Sequence, residues 1–273
     1  MPSPVWAATS PTSLPATVSS LVADLHALGV GPGDVVMTHT SMRAIGWVIG
    51  GEQAVIDALL QSIGPSGTLV MPTQSWQLCD PAFLGEDHIS ESWWPLIREQ
   101  LPAYDPARTP TRTMGAVAEL FRTYPKTVRS THPHRSISAN GPHAAAITAR
   151  HDLDCPAGEH SPLAQLYGLN ATVLLLGVGP RKMTALHFAE HRATHPGKRD
   201  VPNGGPVLID GRRVWETWEE LDVHDHDFAA VTEDFAQTYP ELVSAGTIGA
   251  APSLLLSMSA LIDHATTWFS AHR

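Results

Sequence analysis

The chain has only two cysteines, Cys79 and Cys155, in 273 residues. That is too few for a disulfide framework, and their separation matches no zinc-ribbon spacing. Charge is also sparse. Asp, Glu, Lys and Arg make up 16% of the residues, with 17 Lys and Arg against 27 Asp and Glu, for a formal net charge of −10. No basic stripe is present to neutralise phosphates, so no nucleic-acid partner is expected. The acidic balance favours a neutral or cationic partner instead. No Lys or Arg precedes Arg43, so the start of the chain lacks the charged region of a secretory signal. The longest apolar runs, near Val173–Val178 and Leu254–Ile262, fall far short of the roughly 20 residues of a membrane span. A cytoplasmic protein without membrane contact is the expectation. Three signatures are missing as well: G-x-S-x-G, G-x-x-x-x-G-K-[ST] and G-x-G-x-x-G. Their absence disfavours a serine hydrolase, a P-loop NTPase and a standard dinucleotide-binding oxidoreductase.

What is present is enough apolar residue, 43%, to exclude a disordered chain and to fill a sizeable core. Residues 1–15 are rich in Ser, Thr and Pro and read as a loose N-terminal arm. No repeat or clean linker divides residues 16–273, which read as one domain. Apolar spacing predicts a helix over Thr17–Leu28 closed by Gly29, a strand over Val35–His39, a helix over Glu52–Ile63 and a strand over Gly67–Thr73. Residues 74–112 break this rhythm with Trp76, Trp93, Trp94 and several prolines. They read as a long excursion, of the kind that carries function or merely packs. Further helices are predicted over Gly115–Arg122, Ala144–Ala149 and Thr184–Ala193, with a buried strand over Ala171–Val178. The last third predicts a strand pair near Val207–Val214, an acidic stretch, and a long amphipathic helix over Ala251–Trp268. The fold class is α/β: a single domain with a central mixed sheet, helices on both faces, the excursion and a C-terminal helix.

Of the fifteen histidines, His187 stands apart. It follows the buried strand closely, in the first turn of a predicted helix, with Thr184 as the predicted N-cap. Loops at the C-terminal edge of an α/β sheet are where ligands bind. Glu190, three residues on, shares a helix face with His187. A carboxylate there fixes the imidazole tautomer and suits general-base catalysis near neutral pH, although the same spacing also serves an ordinary surface pair. The stretch from His187 through Glu190 to His191 also reads H-x-x-E-H, with His195 one turn further on. That is the pattern of inverted zinc peptidases, and it leaves a zinc hydrolase as an alternative.

Two polar clusters complete the reading. Thr38, His39, Thr40, Ser41, Met42 and Arg43 follow a strand and supply hydroxyls, amides and one cation, suited either to a phosphate or pantetheine chain or to an ordinary capped loop. Glu219, Glu220, Asp222, Asp225, Asp227, Glu233 and Asp234 crowd one stretch. As a solvated surface they need no role; on a cleft they attract polycations such as polyamines or aminosugars.

In order along the chain, LGVGPGDVVMTHTSMRAIG (28–46), GPSGTLVMPTQS (64–75), TRTMGAVAELFR (111–122), STHPHRSISANGPHA (130–144), HSPLAQL (160–166) and LLLGVGPRKMTALHFAE (174–190) resemble the aminoglycoside 3-N-acetyltransferase family. The weaker block AGTIGAAPSLLL (245–256) extends the match, so it covers about residues 15–270. This family differs in fold from the GNAT acetyltransferases. The resemblance implies transfer of acetyl from acetyl-coenzyme A, without a metal, to the 3-amino group of a deoxystreptamine aminoglycoside, and thereby antibiotic resistance. The family's T-x-L-H-x-A-E block falls on Thr184, Leu186, His187, Ala189 and Glu190, making His187 the base. The resemblance also places Thr38 to Arg43, Thr113, Met114, Gly115 and Ser136 along coenzyme A. It places Asp80, Trp76, Asp225 and Asp227 at the substrate.

The mechanism it implies is direct transfer in a ternary complex, with Glu190 orienting His187 and Thr184 or loop amides stabilising the oxyanion. The chain departs from the family just before Thr184. There Pro180-Arg181-Lys182-Met183 replaces a polar stretch ending in Asn, and a pair of cations is unexpected beside a polycation site. An acyltransferase for a different amine keeps the same fold and cofactor and stays open. Oligomeric state is not legible in the sequence; a homodimer is carried as an expectation.

Overall fold

A computed structural model describes residues 14–85 and 89–273; residues 1–13 of the expected arm lie outside the described residues. The strands are β1 (Val35–Thr40), β2 (Thr68–Pro72), β3 (Val128–Arg129), β4 (Ile137–Asn140), β5 (Thr172–Leu176), β6 (Asp200–Ile209), β7 (Arg212–Leu221), β8 (Val243–Ile248) and β9 (Ala251–Ser257). Among the described residues, seven of them build one sheet in the order β3-β4-β2-β1-β5-β9-β8. The pairs β1–β2 and β1–β5 are parallel and the remaining pairs antiparallel. β6 and β7 form a separate hairpin.

Helices α1 (Val18–Leu28), α2 (Met42–Ile45) and α3 (Gly51–Ile63) come first, then α4 (Pro81–Leu84) and α5 (Trp94–Gln100) in the excursion. They are followed by α6 (Ala116–Phe121), α7 (Ala144–Thr148), α8 (Pro162–Gly168), α9 (Leu186–Arg192), α10 (Phe228–Thr238) and α11 (Met258–His272). Side chains alternate across a strand, so a central strand buried on both sides must be apolar at every position. β5 meets that demand from Val173 to Leu176, and β1 meets it over Val35–Met37 before turning polar at Thr38 and His39, where the strand runs out to the sheet edge. Met37, Val173 and Leu175 join the core beneath α7 to α11, whereas Val36, Leu174 and Leu176 join the core beneath α1, α2, α3 and α6. Each such side chain contributes about 1.5–3 kcal/mol when fully buried. No helix among the described residues is long and apolar enough to cross a membrane.

Two expectations change. Residues Ala251–Ser257 are not helical but form β9, wedged between β5 and β8; the helix begins at Met258. Leucine favours a helix locally, but pairing on both sides of β9 overrides that preference. The strand pair near Val207–Val214 is longer than expected, because β6 and β7 pair over ten positions despite Pro202, Gly204, Gly205 and Pro206. A two-stranded hairpin tolerates proline because each strand is an edge. Gly205 is needed there: a Cβ would lie 2.6 Å from His134 Nε2 and 2.9 Å from the Leu78 carbonyl. Through Pro206, whose carbonyl accepts from Tyr104 N at 2.9 Å, the hairpin holds the excursion against the domain.

Candidate active site

β1, β2 and β5 run parallel, so the loops after Thr40, Pro72 and Leu176 emerge at one edge of the sheet. β1 lies between the other two, with α3 covering one face and α8 and α9 the other, which opens a crevice at this edge. Gly177 turns the chain out of β5 with φ +71°, and a Cβ there would approach Ala44 Cβ to 2.5 Å. Only glycine lets this loop pass α2 so closely.

The turn leads to His187 on α9. Its Nδ1 bonds Glu190 Oε2 at 2.5 Å, and its ring packs 5.0 Å from that of Phe228. Because an ionised carboxylate only accepts, the proton sits on Nδ1, and in the neutral tautomer this selects the lone pair is on Nε2. Glu190 is buried, its side chain 2% exposed. Its Oε1 accepts from the His224 backbone N–H at 2.8 Å and from Arg273 Nη1. Burial pushes this carboxyl up, but the bond and charge of His187, the Arg273 guanidinium and the His224 amide together outweigh it and hold Glu190 below the usual carboxylate range. Thr184 does not cap the helix. The capping position falls on Ala185, which makes no side-chain cap, and Thr184 contributes only its carbonyl, to His187 N at 3.1 Å.

Two cavities meet here. The smaller, about 240 Å³, is lined by Thr38, His39, Thr40 and Ser41 after β1, by Thr113, Met114 and Gly115, and by Lys182 and Thr184. The larger, about 460 Å³, is lined by Trp76, Arg135, Arg181, His187, Asp222 and Asp225 among others. Thr113, Met114, Lys182 and Thr184 line both. In the smaller cavity Thr38 Oγ1 and His39 Nε2 are buried without a hydrogen-bond partner. Burial, with the charge of His187 adding to it, pushes the His39 imidazole down to about 3, so it is neutral.

Three residues expected along coenzyme A do not line this cavity. Met42 packs under α2 against the apolar core, and Arg43, one position on, is exposed on α2; neither lines the cavity. Ser136 is fully buried and ties two segments together: its Oγ donates to the Thr73 carbonyl at 2.8 Å and accepts from Arg129 Nε at 3.0 Å.

The acidic candidates divide similarly. Asp225 lines the larger cavity and pairs with Arg181 at 2.8 Å. Asp227 does not line it, because both its carboxylate oxygens are taken by Arg273, at 2.6 and 2.8 Å. Asp80 caps α4 through Ala82 N and holds Arg98 in a fork at 2.8 and 2.9 Å. It faces a neighbouring groove of about 930 Å³ that Phe83, Trp215, Trp218 and Glu219 also line. Phe83 and Asp222 border both this groove and the larger cavity, so the two are contiguous. Trp76 does line the cavity; its indole donates to Gln74 Oε1 at 2.9 Å and Arg135 lies 4.8 Å over its ring.

Glu220, read as acidic surface, is fully buried on Arg135 at 2.7 Å, with Trp218 Nε1 on its other oxygen. Sequence reasoning also missed Arg273, which meets Glu190 across 83 residues of chain, a separation that no local pattern marks. The H-x-x-E-H pattern does not gather. Glu190 is committed to His187 and Arg273, while His191 Nε2 is buried without a partner and burial, followed by Lys198, lowers that ring to about 4. Among the described residues, no group of three or more His, Cys, Asp or Glu converges as a metal site.

Comparison with known proteins agrees with this architecture. The family model described as aminoglycoside 3-N-acetyltransferase matches residues 37–270. The chain is 41% identical over 259 residues to the SPbeta prophage-derived aminoglycoside N(3')-acetyltransferase-like protein YokD of Bacillus subtilis, covering 94% of each chain. It is 40% identical to aminoglycoside N(3)-acetyltransferase VII of Streptomyces paromomycinus, over 93% of this chain and 91% of that protein. The crystal structure of YokD superposes with a TM-score of 0.91 at 40% identity and 96% coverage of both chains. AAC-IIIb in binary complex with CoASH gives a TM-score of 0.84 at 34% identity, covering 94% and 97%. AAC-VIa bound to sisomicin gives 0.82 at 33%, covering 95% and 99%. With the model match spanning most of the domain and the paired His187 and Glu190 at its sheet edge, the chain belongs to the aminoglycoside 3-N-acetyltransferase family.

Proposed function

We propose that this protein transfers the acetyl group of acetyl-coenzyme A directly to the 3-amino group of a deoxystreptamine aminoglycoside, with His187 as general base, and thereby confers antibiotic resistance. The observation that carries this reading is the meeting of the two cavities at Thr184, with His187 held by Glu190 on the larger side. That relatives have been solved with CoASH and with sisomicin supports the same pairing of ligands. The smaller cavity, with its hydroxyls and the loop at Thr113–Gly115, suits the pantetheine end of coenzyme A. The acids Asp222 and Asp225 suit a polycation. A cytoplasmic location and a homodimer belong to the same proposal.

The neutral amine attacks the thioester carbonyl, a C–N bond forms, and the C–S bond breaks to release the thiol of coenzyme A. The amine proton passes to His187 Nε2 and from there to the departing sulfur. Glu190 fixes the tautomer that leaves Nε2 able to accept. The Thr184 hydroxyl, which makes no hydrogen bond within the chain among the described residues, is available as a donor to the developing oxyanion.

Thiol release from acetyl-coenzyme A tests this, with wild type and His187→Ala against gentamicin, apramycin, kanamycin and simple amines. The expected result is release with aminoglycosides and a loss of about 10²–10⁴-fold in the variant, the usual weight of a general base. Near-full activity of His187→Ala overturns the base. Release with other amines alone moves the acceptor. One observation favours that second reading: Arg135, Arg181 and Lys182 line the acceptor side along with its acids, a balance that also accommodates an amine carrying less positive charge.

A further inference from the structure

The buried network behind His187 extends two residues beyond Glu190. Arg273, at the end of α11, donates from Nη1 to Glu190 Oε1, from Nε and Nη2 to the two oxygens of Asp227 at 2.8 and 2.6 Å, and from Nη2 to the His224 carbonyl at 3.2 Å. Its side chain is 10% exposed, and that of Asp227 13%. The guanidinium lies 3.9 Å over Phe269, which stacks on Phe228, the ring that packs against His187. Three elements, α9, α10 and α11, therefore meet at one alternating row of charge: imidazole, carboxylate, guanidinium, carboxylate.

We propose that Arg273 and Asp227 are positioning residues that set the effective negative charge Glu190 presents to His187, and with it the pH range in which His187 accepts a proton. This rests on the reading of His187 as the base. The physical argument is electrostatic. A buried carboxylate stabilises the imidazolium beside it, and a cation on its far oxygen weakens that stabilisation. Asp227 in turn neutralises part of the Arg273 charge. Asp227 thus acts behind the base and does not contact the acceptor, and the two residues must pull in opposite directions.

Other charged or titratable groups face this row. His224 lies 3.6 Å from Asp222, and His226 lies 3.9 Å from Asp227. From β1, His39 feels the charge of His187; from the loops around α9 and α10, Asp225 feels His187 and Lys182 with its partner Arg181. His191 feels His187, Glu190, Lys198 and Arg135, and His195 feels Arg273, Glu190, Asp227 and Lys198. His195 and His226 touch or feel Arg273 and Asp227 themselves, so the midpoint of the His187 imidazole is read directly and not inferred from the rate profile alone.

The test is the pH profile of kcat/KM for wild type, Arg273→Gln, Arg273→Lys and Asp227→Asn, paired with an NMR titration of the His187 imidazole in each protein without substrates. Arg273→Gln should move the acid limb and the imidazole midpoint upward, by up to about 1 unit, since a charge in direct contact shifts a neighbour by about 1–3 units and Arg273 acts through Glu190. Asp227→Asn should move both downward, and Arg273→Lys should return them toward wild type even where kcat stays low. Lost activity with unmoved limbs and midpoints in all three folded variants overturns the proposal, because a merely structural brace lowers rate without shifting titration. Shifts in the same direction for Arg273→Gln and Asp227→Asn overturn it as well. Near-full activity of His187→Ala defeats the reading of the base instead, and the imidazole titration still reports on the charge coupling.

Discussion

Arg181 Nη2 donates to Asp225 Oδ1 at 2.8 Å, joining two residues that line the same cavity as His187. The guanidinium thus sits where an ammonium group of a polycationic acceptor would seek a carboxylate. With the two side chains 62% and 37% exposed, the pair is well solvated, and an ion pair of that kind is worth about 0.2–1 kcal/mol. Arg181→Ala should therefore lower KM for gentamicin by about 1.5–5-fold, the fold-change that energy corresponds to. Added salt should shrink the difference. A KM that rises in Arg181→Ala shows that Arg181 contacts the acceptor and does not compete with it.

A cluster of buried histidines predicts how stability depends on pH. His132 packs against His151 and His134, with ring centroids 4.8 and 5.5 Å away. Burial pushes the imidazoles of His134 and His151 down to about 4 and that of His132 well below its usual value, where His151 and His134 add to the effect. Folded-state values below the unfolded one of about 6.5 mean that the unfolded chain binds the extra protons in this window. The stabilisation is therefore complete above about pH 6.5 and is lost as pH falls toward about 4. Urea melts at pH 7.5, 6.0, 5.0 and 4.5 should give a falling unfolding free energy with net proton uptake. A flat profile across that window contradicts the buried, neutral cluster.

Glu220 and Arg135 form a pair that is 0% and 6% exposed at the side chains. Glu220→Gln leaves the guanidinium buried without its counter-charge, a loss of about 3–5 kcal/mol for a broken buried pair. Arg135 also supports Trp76 at the cavity wall, so the variant should raise KM for the acceptor as well as lower the denaturation midpoint. A stability change below 1 kcal/mol by the usual scale of exposed pairs would show that water reaches Arg135.

The α/β class, the apolar central strands and the i, i+3 spacing that pairs His187 with Glu190 were legible along the chain. Those are local facts: short unbroken apolar runs in β1 and β5, and an i, i+3 spacing on one helix face. The family blocks were likewise legible as ordered local strings, and the family match bears them out. Contacts between residues distant in sequence were fixed by folding. Residues Ala251–Ser257 became a strand because β5 and β8 offered backbone partners on both sides, a reward that apolar spacing does not register. The acidic stretch looked uniform in sequence, yet folding buried Glu220 on Arg135, gave Asp227 to Arg273, and left Asp222 and Asp225 on the cavity. Charge count cannot make that division. It depends on which carboxylate meets a cation in low dielectric, and those cations arrive from β4's approach and the end of α11, 85 and 46 residues away in sequence.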